Sequence, residues 1–221
     1  MQLARSVSSE LVTIGAAFGC GETLARTIGA LGRGTDLARG QVLYPLPGRE
    51  ETSLLLAGMA QEAAYGREGG MLVLHQLGPG EFYGRLVDGQ GDAQVEALSE
   101  GRAMQYGEEA VLRLMECYSC VAVAMTRQLA QRLAAMRQRM VEASLLSATG
   151  RICAELLRLS RQADDGVIRP VPIMAELAQR VQSTRETVSR TVSQLERRGI
   201  VQRLDGGLAV VATHRLEELV Y

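Results

Sequence analysis

The segment 183–195 has the sequence STRETVSRTVSQL and carries three long charged side chains close together in the chain, Arg185, Glu186 and Arg190. At a helical spacing of about 100° per residue, Arg185, Glu186, Ser189 and Arg190 fall on one arc. Arginine pairs bidentately with the O6 and N7 atoms of guanine, and glutamate accepts a hydrogen bond from the N4 of cytosine. Such a face has the chemistry to read base edges in a DNA major groove. The alternative is a solvated helix face whose charges only keep the surface polar.

The segment that carries this face has the sequence of an amphipathic helix. Ser183 and Thr184 are favourable N-caps, and Glu186 follows Ser183 at the capping-box spacing. Gly199 stands where helices commonly end. The positions on the other arc are apolar, namely Val188, Val192 and Leu195. The pattern predicts a helix with one face for a core and one face for a polar surface.

The flanking residues predict a winged helix-turn-helix. A short helix is expected over 174–181, and it leads through the turn at 182–183 into the polar helix. Beyond that helix, two β-forming runs at 200–204 and 208–211 enclose a glycine-containing turn. Helix, turn, helix and hairpin in this order favour DNA binding over a merely solvated helix.

A helical pattern without glycine or proline precedes this region and covers 108–140. Apolar residues recur in it at alternating spacings of four and three, interrupted only at Arg132. A period of 3.5 residues is typical of a seam between two helices, and a helix of about 50 Å is too long for a small domain to bury. We therefore expect a homodimer in which this helix pairs with its copy. The expected seam contains Val111, Met115, Tyr118, Ala122, Met125, Leu129 and Met136.

The N-terminal half has a different character. Residues 1–35 predict one or two short helices, and from about 36 to 106 short apolar runs alternate with glycine-containing turns. Strands at such even spacing are typical of a small all-β barrel or sandwich. A barrel of this size encloses one small ligand or only its own side chains.

The composition excludes several function classes. No apolar run approaches the roughly 20 residues that span a bilayer, and the first ten residues lack the order of a signal peptide. We expect a cytoplasmic protein without a membrane partner. No GxSxG, HExxH or P-loop motif is present, so we expect no enzyme, no catalytic residue and no metal site. The net charge is −1, but twelve arginines face seven acidic residues between 137 and 203.

Four motifs carry a resemblance to a known family. The most specific is TRETVSR at 184–190, which LERRGIV follows at 195–201. TGRI stands at 149–152, and LGPGEFYG stands at 77–84. On these motifs the sequence resembles the CRP/FNR family of bacterial transcription regulators over nearly its whole length.

The resemblance implies an α+β fold in three parts. A cyclic-nucleotide-binding-like jelly-roll barrel is expected over 1–107, a long dimerisation helix over 108–140 and the winged helix-turn-helix over 141–221. The implied partners are double-stranded DNA, a second copy of the chain and RNA polymerase.

The resemblance also implies roles for individual residues. Arg185, Glu186 and Arg190 would read base edges beside Ser189, with Thr184 and Thr187 near phosphates. The expected target is a palindrome with a TGTGA-like half-site and a TCACA-like partner. Gln182 stands where family members usually have a turn glycine, so we expect a less tight turn.

The effector pocket departs from the pattern of the members that bind cyclic AMP. Those members carry Phe-Gly-Glu-Leu, whose glutamate takes the ribose hydroxyl, and then an arginine that neutralises the cyclic phosphate. The corresponding run here is Tyr83-Gly84-Arg85-Leu86, and the phosphate position is occupied by Asp92. The pair expected to touch the base is replaced by Met136 and Arg137. We therefore expect no conventional cyclic AMP binding, because an acidic side chain repels a phosphodiester.

Several alternatives remain open for this pocket and for the other reactive side chains. The regulator is constitutive, or responds to an unidentified small molecule, or takes a cyclic nucleotide (cyclic AMP, cyclic GMP or cyclic di-GMP) in a non-standard way. Arg85 binds another anion or pairs with a nearby aspartate. No cofactor is expected. His75 is the candidate haem ligand, and its position in a predicted strand favours a half-buried strand histidine instead. Cys117 and Cys120 have the CxxC spacing of a thiol oxidoreductase or redox sensor. The alternative is that the two side chains only pack as small apolar groups.

Overall fold

The computed structural model describes residues 2–46, 51–66, 71–84, 93–163 and 165–220. The chain separates into two compact units, Met1–Ala134 and Ala135–Tyr221. Among the described helices, none is long and apolar enough to cross a membrane.

Two helices, α1 (Gln2–Phe18) and α2 (Glu22–Leu31), begin the first unit. Their apolar faces bury Ile14 and Ile28 completely in a core shared with the strands. The Nε of Arg102 lies 2.7 Å from Oε1 of Glu10, which ties α1 to the sheet. Helix α1 is therefore longer and better packed than the short helices that the glycine-rich sequence predicts, because tertiary burial compensates for weak local propensity.

Among the described residues, eight strands follow and form two antiparallel four-stranded sheets, with the orders β1-β8-β3-β6 and β2-β7-β4-β5. Within the described residues no strand pairing closes them into a barrel, so the unit is a jelly-roll-like sandwich. The strands are β1 (Arg33–Leu37), β2 (Val42–Tyr44), β3 (Glu51–Ala57), β4 (Ala60–Tyr65), β5 (Met71–Leu77), β6 (Phe82–Gly84), β7 (Ala93–Ala97) and β8 (Gly101–Gly107).

The central strand β3 is buried on both of its faces. Leu54 and Leu56 belong to the core beneath the helices, whereas Leu55 points into the core between the two sheets. This division follows from the two-residue repeat of a strand, which places alternate side chains on opposite faces.

The helical segment after β8 is broken, contrary to the single helix predicted over 108–140. Helix α3 (Glu108–Cys117) ends at Tyr118, whose backbone is extended (φ −131°, ψ 99°), and α4 (Ser119–Leu145) begins directly after it. The Tyr118 carbonyl accepts a hydrogen bond from the Val121 N–H at 2.9 Å. The break lets the apolar faces of both helices cover one core, which a straight helix of this length cannot do.

The second unit contains the predicted winged helix-turn-helix. Its three-stranded sheet has the order β10-β11-β9, and Val201 pairs with Val210 in the predicted hairpin. The predicted strand over 167–171 is reduced to two residues. The elements are α5 (Ala148–Gln162), β9 (Val167–Ile168), α6 (Met174–Arg180), α7 (Arg185–Arg197), β10 (Val201–Leu204), β11 (Gly207–Val210) and α8 (Thr213–Glu217).

Candidate nucleic-acid interface

Helix α7 presents the predicted base-reading face. Arg185, Glu186, Ser189 and Arg190 are all exposed, while the apolar arc of the helix is buried in the core of the second unit. Within the described part of the chain, no hydrogen bond or ion pair engages the side chain of Arg185, Glu186 or Arg190. Two guanidinium groups and a carboxylate are thus exposed on one helix face with their hydrogen-bonding capacity unused.

Two residues further along α7 extend this face and were missed in the sequence. Gln194 and Arg197 are exposed and continue the row that runs through Glu186 and Arg190. The helical repeat of 3.6 residues could have identified them from the sequence. In the wing, Arg203 lies 3.4 Å from the carboxylate of Glu196, so this arginine is already paired.

The N-terminus of α7 is capped by Thr184 and not by Ser183. Thr184 Oγ1 accepts a hydrogen bond from the Thr187 N–H at 3.2 Å, and the two hydroxyl oxygens are 3.0 Å apart. The predicted capping box is therefore wrong by one residue. Because Glu186 is not needed for a reciprocal cap, its carboxylate stays free on the exposed face.

The turn between α6 and α7 has the geometry of a Schellman motif. The Ser183 N–H donates to the Ala178 carbonyl at 3.0 Å, and the Gln182 N–H donates to the Gln179 carbonyl at 3.4 Å. Gln182 occupies the left-handed region with φ of 51°, a conformation that favours glycine. The expectation of a looser turn is therefore wrong: the tight turn is retained and glutamine adopts it.

Arg151, from the TGRI motif, holds this turn from the neighbouring helix α5. Its Nε donates to the Val181 carbonyl at 2.8 Å, and one Nη donates to the Gln182 carbonyl at 3.1 Å. The other Nη donates to the Leu146 carbonyl at 2.9 Å, just beyond the end of α4. One guanidinium thus satisfies three backbone carbonyls and fixes the start of α7 relative to α5.

The structure divides the predicted dimer seam into two groups. Val111 and Met125 are only 8% and 3% exposed and belong to the core of the first unit, with Met115 and Tyr118 packed against it. Val111 and Met125 are therefore not available to a partner, and their assignment to the seam is wrong, whereas Met115 and Tyr118 are only partly buried. At Val111 and Met125 the heptad pattern reflects packing of α3 and α4 onto the core of their own unit, which a sequence period does not distinguish from packing onto a second chain.

A second row of apolar side chains on α4 is exposed. Leu129 and Met136 were predicted, but Leu133 (60% exposed) and Met140 (73% exposed) were missed. The spacings along this row are four, three and four, and Ala122 lies on the same row two turns earlier.

Arg132, which interrupts the predicted heptads, has a partner in the first unit. Its guanidinium donates to the Phe82 carbonyl and lies 4.0 Å from Oε1 of Glu81. His75 Nε2 is 2.8 Å from the same carboxylate. Burial raises the pKa of Glu81, but hydrogen bonds from His75 and the Gly78 N–H, together with Arg132, outweigh it and leave the pKa below its usual value. Arg132 and His75 therefore have structural partners.

The predicted effector-pocket residues are only partly described. Tyr83 is 4% exposed and lies in the core between the two sheets. Its side chain forms a hydrogen bond with the side chain of Ser53. Gly84 has φ of 96°, and a Cβ there would lie 2.4 Å from the Glu51 carbonyl oxygen, so the backbone requires glycine. Met136 and Arg137 are exposed and belong to the second unit. Arg85, Leu86 and Asp92 lie outside the described residues.

The two cysteines of the CxxC spacing lie on different helices. Cys117 is exposed at the end of α3, whereas Cys120 packs against the core of the first unit from α4. Cys153 is fully buried, and burial raises the pKa of its thiol to about 11. In the described ranges, no group of three or more His, Cys, Asp or Glu side chains is arranged to hold a metal ion.

Comparisons with known proteins agree with this geometry. The Crp-like helix-turn-helix domain matches residues 150–219. The cyclic AMP receptor protein of Thermus thermophilus is 32% identical over 153 residues, which cover 66% of this chain and 68% of that protein. The structure of a CRP/FNR-family transcriptional regulator from the same organism has a TM-score of 0.67 at 27% identity, covering 85% and 98% of the two chains. FixK2 from Bradyrhizobium japonicum shares the fold, with a TM-score of 0.74 at 18% identity over 86% and 98%. The chain therefore belongs to the CRP/FNR family of bacterial transcriptional regulators, and its second unit is a DNA-binding winged helix-turn-helix.

Proposed function

We propose that the chain is a homodimer that reads a palindromic DNA site with TGTGA-like half-sites. The observation that carries the proposal is the exposed, unpaired face of Arg185, Glu186 and Arg190 on α7. Arg185 and Arg190 pair with guanine edges and Glu186 accepts from a cytosine amine in this proposal. Thr184 and Thr187, at the N-terminus of the helix, lie beside a phosphate, where the helix dipole favours negative charge.

The fixed position of α7 supports base reading over non-specific attachment. The Thr184 cap and the Arg151 hydrogen bonds hold the helix start before DNA arrives. Bidentate base recognition needs this rigidity, because each side chain must reach its base edge without first ordering the backbone.

The homodimer is supported by the exposed row on α4. Leu129, Leu133, Met136 and Met140 form an apolar stripe at the spacing of a two-stranded coiled coil. A solvent-facing stripe of this kind is stabilised by burial against its own copy, which shares the same spacing. Two α7 helices related by a two-fold axis then meet half-sites one helical turn apart.

The input side of the regulator is proposed to differ from conventional cyclic AMP control. Arg85 and Asp92 replace the acidic and basic side chains that would bind ribose and phosphate.

In the proposed division of the chain, residues 1–107 form the sensor-like domain, 108–140 the dimerisation helix and 141–221 the DNA-binding domain. RNA polymerase is the proposed partner that contacts the DNA-bound dimer. No catalytic role is proposed for Cys117 and Cys120, because the side chain of Cys120 packs against the core of the first unit.

A second candidate is control by a cyclic nucleotide in a non-standard pocket. It is favoured by the 32% identity to a protein named as a cyclic AMP receptor. The ligand in this case is cyclic AMP, cyclic GMP or cyclic di-GMP. Titration calorimetry with the three nucleotides separates the candidates: heat from none of them supports the first, and saturable heat from any one supports the second.

The DNA proposal is tested by fluorescence anisotropy with a TGTGA palindrome and a scrambled duplex of equal length, over a series of salt concentrations. We expect at least about a thousandfold preference for the palindrome at physiological salt. Equal affinity for both duplexes at every salt concentration contradicts sequence-specific reading and leaves only electrostatic attachment.

A further inference from the structure

A buried ion network joins three helices of the second unit. At its centre is Glu155 on α5, whose side chain is only 4% exposed. Its carboxylate contacts the guanidinium of Arg158 on the same helix and lies 3.5 Å from Arg180 on α6. A carboxylate this deeply buried is tolerated only with charged partners, because an unpaired buried charge is strongly destabilising.

The network continues from α5 to the last turns of α4. One nitrogen of Arg158 donates to both carboxylate oxygens of Glu142, at 2.8 and 2.9 Å. The contact is charge-assisted and engages both oxygens of the Glu142 carboxylate. Arg158 therefore binds Glu142 and Glu155 at once, and the order of contacts is α4 to α5 to α6.

The two ends of this chain of contacts stand at functionally distinct places. Arg180 is the last residue of α6 and immediately precedes the turn that Arg151 holds. Glu142 follows Met140, the most exposed member of the apolar stripe, by two residues on α4. The network thus links the helix proposed to dimerise with the helix pair proposed to read DNA.

We propose that Glu142 is a positioning residue for DNA reading. Through Arg158 and Glu155, it fixes the last turns of α4 to the helix-turn-helix, so that two paired α4 helices hold two α7 helices at one spacing. This inference rests on the proposed homodimer and palindrome. The advantage of a palindrome over a single half-site depends on how rigidly the second α7 is presented, because rigid presentation raises its effective concentration at the second half-site.

The test uses the full-length chain and two duplexes, one palindrome and one with a single half-site, both read by fluorescence anisotropy. Glu142→Gln keeps the size of the side chain and removes the charge that pairs with Arg158. We expect the affinity of this variant for the palindrome to fall about tenfold, with its affinity for the single half-site within about twofold of wild type. A residue that only supported folding would lower both affinities together.

Two further variants complete the design. Glu217→Gln removes an exposed ion pair with Arg161, 2.5 Å long, in the same unit but away from α4, and is the matched control. Arg158→Gln is made alone and together with Glu142→Gln, which completes a double-mutant cycle. If the network acts as one unit, the double variant loses as much palindrome affinity as the more severe single variant. If Arg158→Gln does not fold, Glu142→Gln still decides the question.

The outcomes separate this inference from the function on which it rests. A wild-type chain without any preference for the palindrome over the half-site overturns the proposed dimeric reading and the inference together. A wild-type preference that Glu142→Gln retains in full overturns the inference alone. A selective loss in Glu142→Gln, absent from Glu217→Gln, supports it.

Discussion

The Nε of Arg151 donates a hydrogen bond to the carbonyl oxygen of Val181 across 2.8 Å and thereby ties α5 to the turn of the helix-turn-helix. Two other carbonyls, of Leu146 and Gln182, each accept a hydrogen bond from one Nη of the same guanidinium. The planar guanidinium reaches three acceptors at once, which a lysine ammonium on a flexible stem does not reproduce.

Replacement of Arg151 is therefore expected to destabilise the second unit. Arg151→Met leaves three carbonyls without this donor, and we expect the free energy of unfolding to fall by about 2–4 kcal/mol. Urea denaturation followed by circular dichroism gives the measurement. Arg161→Met, on the same helix but exposed, is the control and should cost less than about 1 kcal/mol. Equal losses in the two variants would mean that the Arg151 hydrogen bonds contribute little.

Gln182 is expected to be replaceable by glycine with a gain in stability. Its φ of 51° is unfavourable for a side chain with a Cβ, and glycine adopts it without strain. We expect Gln182→Gly to raise the free energy of unfolding by about 0.5–1 kcal/mol, measured in the same way. Gln179→Gly, inside α6, should lower it by about 1 kcal/mol. A destabilised Gln182→Gly variant would contradict the strain at this turn.

Arg185 is expected to specify one base pair of each half-site. Arg185→Ala should reduce palindrome affinity by about 1–3 kcal/mol and relax the preference at a single position. Competition binding against duplexes with each base pair varied in turn measures both effects. Arg161→Ala, on α5 and paired with Glu217 of α8, controls for the loss of charge. A loss that is uniform across all duplexes would show that Arg185 contacts phosphate only.

The exposed row on α4 is expected to hold the dimer. Leu133→Asp places a carboxylate in the apolar stripe of each chain, and we expect the dissociation constant of the dimer to rise at least about a hundredfold. Analytical ultracentrifugation over a dilution series gives the constant. Gln131→Asp introduces the same charge at an exposed position outside the row and should leave it unchanged. A Leu133→Asp variant that stays dimeric would place the interface elsewhere.

Stability is expected to fall at alkaline pH because of Cys153. Burial raises the pKa of this thiol to about 11, so the folded chain keeps the proton where the unfolded chain loses it. The stability that the neutral thiol contributes is complete below the ordinary pKa of 9.0 and is lost as the pH rises towards 11. We expect a slope of up to about 1.4 kcal/mol per pH unit in this range.

Cys153→Ala isolates this contribution from those of other groups that titrate in the same range. Urea denaturation at several pH values between about 8 and about 11 should show a shallower decline for the variant than for wild type. Parallel declines for the two proteins would mean that Cys153 ionises normally in the folded state.

The DNA-binding half of the molecule was largely predictable because its signals are local. Caps, the apolar arc of Val188, Val192 and Leu195, the terminal Gly199 and the hairpin turn each depend on residues that are neighbours in the chain. The exposed face of Arg185 and Arg190 followed from the helical repeat alone. The capping residue was misplaced by one position, since Ser183 and Thr184 are chemically equivalent as caps and only the path of the turn distinguishes them.

The sequence by itself thus determined the family, the amphipathic helix α7 with its exposed polar face, and two members of the apolar row on α4, Leu129 and Met136. Tertiary structure decided which apolar residues of α3 and α4 are exposed, because Val111 and Met125 are buried in the core of the first unit while Leu133 and Met140 are not. It also decided the break at Tyr118 and the Glu142–Arg158–Glu155–Arg180 network. These features bring together residues that are distant in sequence, and local spacing carries no information about such contacts.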